Sequence, residues 1–106
     1  MEILNLTATD IVLVDDKGNE VSYPSRGIAT VEEDLRLVRT IDGIHVNRKR
    51  FGYVKGLPEP DVDQSKLYIV DHHVAEAAAA TRLDLLIPSD PVQEGEANRY
   101  RSLLNA

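Results

Sequence analysis

The amino-acid sequence predicts a mainly β fold of the α+β class: an antiparallel β-sheet or partly closed barrel with one packed α-helix near residues 72–82. Three observations carry that prediction. Short runs rich in Ile, Leu and Val are separated by Asp, Gly, Asn and Pro at turn spacing. Two of those breaks have hairpin chemistry. One window, built on four consecutive alanines, has strong helix propensity. A chain of 106 residues is expected to form a single domain, 1–106, around one core.

Glu2 to Thr7 and Asp10 to Asp15 read as strands. The second is followed by Asp16-Lys17-Gly18-Asn19 and then Glu20 to Tyr23, a hairpin signal. Pro24-Ser25-Arg26-Gly27 breaks the chain before Ile28 to Glu32. From Asp34 to Thr40, Leu35 and Leu37 alternate with Arg36, the period of a half-buried strand. Asp42-Gly43 tolerates the positive φ of a type I′ turn and leads into IHVNRKRFGYV, a second hairpin. GLPEPDVDQS, with two prolines, is a loop, and LYIV a short buried strand. HVAEAAAATR predicts a helix of about three turns, with Asp71 placed to cap its N-terminus. LDLLIP returns to strand, and SDP ends it. The last stretch, VQEGEANRYRSLLNA, reads either as an amphipathic helix over Glu96 to Leu104 or as a hairpin across Gly95.

Composition narrows the function classes. At 42% hydrophobic and 28% charged the chain has the make-up of an ordinary soluble protein. No apolar run approaches the roughly 20 residues that span a bilayer, so no membrane association is expected. MEILNLTATD has no basic region and no small-residue cleavage site, which predicts a cytoplasmic location. The absence of cysteine excludes disulfides and thiolate metal sites. A net charge of −6 argues against binding duplex nucleic acid, whose affinity comes mainly from neutralised phosphates. No cofactor is implied.

The one positively charged block is RTIDGIHVNRKRFGY, with Arg39, Arg48, Lys49 and Arg50 followed by Phe51 and Tyr53. On a strand Arg48 and Arg50 share one face while Lys49 and Phe51 share the other. Two guanidinium groups then converge on an anion, which guanidinium binds bidentately. A solvated face paired with some of the 18 carboxylates is the plain alternative. His72 and His73 are neighbours, so on a helix they diverge by about 100 degrees and chelate poorly. A strand-to-helix junction is the first reading there; a metal site using one of them with Asp71 is the second. Asp15-Asp16, Glu32-Glu33-Asp34 and Asp61 with Asp63 lack EF-hand spacing and read as solvated turn residues.

In order along the chain, ILNLT, DIVLVDDKGNEV, TIDGIHV, FGYVKGLPEP, LYIV with VAEA, and RLDLLIP resemble a family of small uncharacterised proteins of bacteria and their phages. The resemblance covers the chain to about residue 88. Members commonly carry Asn-Leu-Thr-Pro-His, Tyr-Gly-Glu-Val-x-Gly-Leu-Pro and Tyr-Ile-Val-Ser. Thr9 stands here where the family has histidine, and Asp71 where it has serine, so no role resting on those residues transfers. The resemblance implies a phage setting in the bacterial cytoplasm, where small acidic oligomers act as sponges for nucleotide-derived immune signals.

Three functions are expected from these readings. In the first, a non-enzymatic homo-oligomer sequesters a small nucleotide-like ligand, with Arg48 and Arg50 on phosphate, Arg39 assisting, and Tyr53 or Phe51 stacking on a base. The second is a protein-interaction module, a virion component or a binder of a host protein. The third is a metal-assisted phosphodiesterase using His72 or His73, Asp71 and a loop carboxylate.

Overall fold

The computed structural model describes residues 1–93 and 98–106. The chain runs β1 (Glu2–Asn5), β2 (Ile11–Val14), β3 (Glu20–Tyr23), β4 (Thr30–Ile41), β5 (Ile44–Lys55), β6 (Lys66–Ile69), α1 (His72–Ala78), β7 (Leu85–Pro91) and β8 (Arg99–Asn105). Six short strands form one sheet in the order β1-β6-β7-β8-β2-β3, while β4 and β5 form a separate two-stranded ribbon. A bridge between Asn5 and Ser25, just past β3, brings the two edges of the six-stranded sheet together and nearly closes it into a barrel. The mainly β class with one short helix is therefore the observed one. Pairing is mixed: β1/β6, β6/β7 and β2/β8 are parallel, whereas β2/β3, β7/β8 and β4/β5 are antiparallel.

Both faces of β6 are covered, which is why LYIV is continuously apolar rather than alternating. Ile69, with Ile11 and Leu86, packs inside the barrel against Ile3, Leu13, Tyr23, Leu67, Tyr100 and Leu103. Tyr68 and Val70 face outward onto Val74, Ala75 and Ala78 of α1. Val31, Val54 and Leu57, at the root of the ribbon, join this outer layer.

Both expected hairpin turns form. At the first, the Asp15 carboxylate accepts from the N–H groups of Lys17 (2.9 Å) and Asn19 (2.8 Å), and Gly18 takes φ +84°. At the second, Asp42 (φ 51°) and Gly43 (φ 78°) both adopt the left-handed conformation of a type I′ turn.

Three local expectations are corrected. The helix ends at Ala78, short of residue 82, and a turn follows in which the Ala78 carbonyl accepts from the N–H groups of Thr81 and Arg82 and from the Thr81 hydroxyl. Asp71 occupies the N-cap position without a side-chain cap bond; only its carbonyl engages the helix, accepting from Ala75 at 3.0 Å. Ser89-Asp90-Pro91 does not end β7. The strand continues through it, with Asp90 at φ 57° between the pairs Ser89↔Ser102 and Pro91↔Tyr100. Of the two readings of the C-terminal stretch, the strand is realised as β8, antiparallel to β7. The turn expected at Gly95 lies outside the described residues.

Among the described residues no helix is long and apolar enough to cross a membrane. The radius of gyration is 16.5 Å, against about 13 Å for a compact chain of this length. The excess comes from the β4–β5 ribbon, an arm whose 12-residue strands extend about 40 Å.

Candidate functional site

Of the arm's residues only Val31, Phe51 and Val54 are half-buried; the others are exposed. Its register shifts twice, between Val31 and Glu33 and between Leu37 and Arg39. The second shift decides the chemistry. On the turn side of it Arg39 stands opposite Val46; beyond it Arg36 stands opposite Arg48 and Asp34 opposite Arg50, where an unshifted count from the Asp42-Gly43 turn would put Arg36 opposite Lys49. Val46, Arg48 and Arg50 alternate along β5 and share one face. Arg36 and Arg39 from β4 join Arg48 and Arg50 there, four guanidinium groups on three rungs spanning about 14 Å.

Asp34 is the carboxylate among these rungs, and its contact with Arg36 is 3.8 Å between side chains 62% and 72% exposed. Such a pair contributes little. Like charges directly across a ribbon, as in Arg36↔Arg48, oppose pairing. The face therefore carries a surplus of positive charge that the fold does not need. Beside it runs a shallow groove of about 380 Å³ bordered by Glu32, Glu33, Asp34, Arg36, Arg50, Phe51 and Gly52.

The aromatic residues do not all join the strip. The Phe51 ring lies on the opposite face, with the Lys49 ammonium 5.5 Å from its centre. Tyr53 is 75% exposed within the first shifted stretch of the register. Arg36 is the member that sequence reading missed. Its signal was the Leu35-Arg36-Leu37 alternation facing a basic strand across an evident turn.

Towards the tip the arm is apolar and exposed, with Leu35 at 67%, Leu37 at 58%, Ile41 at 51% and Ile44 at 68%. Its root is tied down by a charge cluster: Glu33 accepts from His73 Nδ1 at 2.7 Å and lies 3.4 Å from the Lys49 ammonium.

His73 is thus engaged with the arm, while His72 borders a pocket of about 250 Å³ at the barrel mouth with Thr7, Thr9, Asp71 and Tyr100. The two imidazoles lie against each other at 3.8 Å between ring centres. Among the described residues no three His, Cys, Asp or Glu side chains gather where a metal ion could be held. Asp71, His72 and His73 are neighbours in the chain and Glu33 reaches His73, but these side chains do not converge on a common point that could hold a metal ion.

No protein-family model, no curated protein and no solved structure matches this chain.

Proposed function

We propose that this protein is a non-enzymatic interaction module whose β4–β5 arm docks on an acidic macromolecular surface. One observation carries the reading: a projecting ribbon that puts Arg36, Arg39, Arg48 and Arg50 on one face and leads to an exposed apolar tip. Arginine with large apolar side chains is the composition of protein interfaces, in which arginine and aromatic residues dominate the energetics. A flat face suits a macromolecule better than a small ligand, which is normally buried in a concave pocket. The test is binding to immobilised poly-glutamate, compared between the native chain and an Arg36→Glu, Arg48→Glu variant. A Lys17→Glu, Arg26→Glu variant is the control for net charge. Saturable binding lost only in the arm variant supports the reading; equal loss in both overturns it.

The Arg36↔Arg48 opposition favours a second reading, in which a phosphorylated, nucleotide-like ligand bridges the two guanidinium groups. The flat site then requires a second subunit to cover the ligand, so this reading includes a homo-oligomer. In the phage setting that the sequence resemblance implies, the ligand is a nucleotide-derived immune signal. Calorimetry with a panel of nucleotides should give heat that vanishes in an Arg48→Ala, Arg50→Ala variant. A panel giving no heat removes it.

A further inference from the structure

The pocket at the barrel mouth is separate from the arm, and we propose that it binds a small primary ammonium ligand carrying a short apolar body. β1 and β6 run parallel, and the pocket opens just past their C-terminal ends, the place at which parallel sheets generally take ligands. Asn5 pairs with Ile69 at the last rung, and Thr7 and Asp71, two residues further along each chain segment, both line the pocket. At about 250 Å³ it is smaller than the roughly 300–1,000 Å³ of drug-sized sites, so it suits a small molecule.

The lining selects the charge of that ligand. Among the described residues no Lys or Arg lines the pocket, and its one acid is Asp71. Although Asp71 occupies the N-cap position of α1, its carboxylate makes no cap bond, and among the described residues no group donates to it. Thr7 is 5% exposed, and its single hydroxyl hydrogen is committed inward, to the Asn5 side-chain oxygen at 2.7 Å or the Thr9 carbonyl at 3.0 Å. Toward a ligand that hydroxyl can only accept. His72, lying against His73, has a bare ring nitrogen in its neutral form, and the Thr9 hydroxyl can rotate to accept as well. An ammonium group brings three donors and the opposite charge to these acceptors. An anion would meet Asp71 with no cation in the lining to offset it.

The remaining lining is apolar: Ile11, Val70, Ile87 and Pro88, with the Tyr100 ring. These side chains take the hydrocarbon part of the ligand out of water, and an aromatic wall attracts a cation held near it. The site is built before any ligand arrives. Ile11 is 3% exposed and Val70 0%, so the floor is fixed by the packing that makes the barrel, while the Asn5 side chain fixes Thr7. Little ordering is then required on binding.

Titration of the isotope-labelled native chain with n-butylammonium, followed by NMR, tests this, with n-butanol and butyrate as the neutral and anionic counterparts. The amine should give saturable shifts centred on Thr7, Thr9, Asp71 and His72, with an affinity roughly tenfold or more above that of either counterpart. Asp71→Asn should lower that affinity by a similar factor and leave the melting temperature near the native value, because the carboxylate bonds nothing in the fold. Asp16→Asn, the same charge change at an exposed turn, should leave binding as it is. Absence of a saturable shift with the amine overturns the site. Butanol or butyrate binding as tightly as the amine overturns the charge selection, and with it the proposal. Equal loss in Asp71→Asn and Asp16→Asn reduces the effect to net charge and overturns it too.

Discussion

Asn5 stands opposite Ser25 in one parallel bridge, and that rung joins the two edges of the six-stranded sheet. The Asn5 side chain is what holds the seam. Its amide donates to the carbonyls of Thr9 (2.8 Å) and Tyr23 (2.9 Å), and its oxygen accepts from the Thr7 N–H (2.9 Å) and hydroxyl (2.7 Å). Asn5 is 1% exposed, so no water replaces these partners. Asn5→Leu keeps the branched shape but removes four hydrogen bonds, and leaves the Thr7 N–H without its side-chain acceptor. The expected loss is about 2–4 kcal/mol of stability, read from the urea midpoint. A loss within experimental error would mean that the seam is held elsewhere.

The arm leaves the body at Gly56 and turns at Gly43, and the two glycines should respond differently to the same change. Both have positive φ, 79° and 78°. A Cβ at Gly43 meets nothing within 4 Å, whereas one at Gly56 would lie 2.3 Å from the Ile28 carbonyl oxygen. Gly43→Ala should cost only the left-handed backbone penalty, about 1–2 kcal/mol. Gly56→Ala must in addition push β5 off the segment before β4, so its melting temperature should fall further and amide exchange should rise at Val31 and Val54. Equal effects at both positions would show that the arm root yields freely.

Turn chemistry made the two hairpins legible in the sequence, because Asp15-Asp16-Lys17-Gly18-Asn19 and Asp42-Gly43 have few conformations open to them. The doubly buried β6 was equally plain from LYIV. What could not be read was pairing between distant segments: nothing local in Glu2–Asn5 announces a parallel partner sixty residues away. The arginine strip was half legible. Alternation placed Arg48 with Arg50, but Arg36 and Arg39 reach the same face through a register shift near Val38, and bulges leave little trace in composition. The arm's projection was hidden for a related reason, since Leu35 and Leu37 look like core residues and stay exposed.

Asp84 and Arg82 form a two-bonded ion pair, Nε to Oδ1 at 2.9 Å and Nη2 to Oδ2 at 2.8 Å, with side chains 16% and 11% exposed. The Arg82 hydrogen bonds hold the Asp84 carboxyl below its ordinary 3.8, and the Asn19 and Ser65 hydrogen bonds do the same for Asp15 and Asp61. With the folded values depressed, the unfolded chain binds more protons near pH 3.8 and stability rises with pH there. The contribution is fully present above the unfolded value and is lost as pH falls through the folded ones. Asp84→Asn should therefore destabilise at neutral pH, by about 1–3 kcal/mol, because it leaves Arg82 largely buried without its counter-charge. Its gap from the native chain should close as acid is added. A gap that stays constant down to the acid transition would exclude this pair as a source of the pH dependence.

Arg48 faces Arg36 across an exposed ribbon, an arrangement that folding alone disfavours. Replacing Arg48 by Glu turns a like-charge rung into an opposite-charge one, and should raise thermal stability by about 0.2–1 kcal/mol. If the strip exists to grip an acidic partner, the same Arg48→Glu change should lower affinity for poly-glutamate, so that stability and association move in opposite directions. That divergence is the signature sought, because a merely solvated face would gain stability and lose nothing. Thermal unfolding and poly-glutamate binding on one preparation measure both quantities together. A variant that is more stable and associates as the native chain does would leave the arginine strip without a binding role.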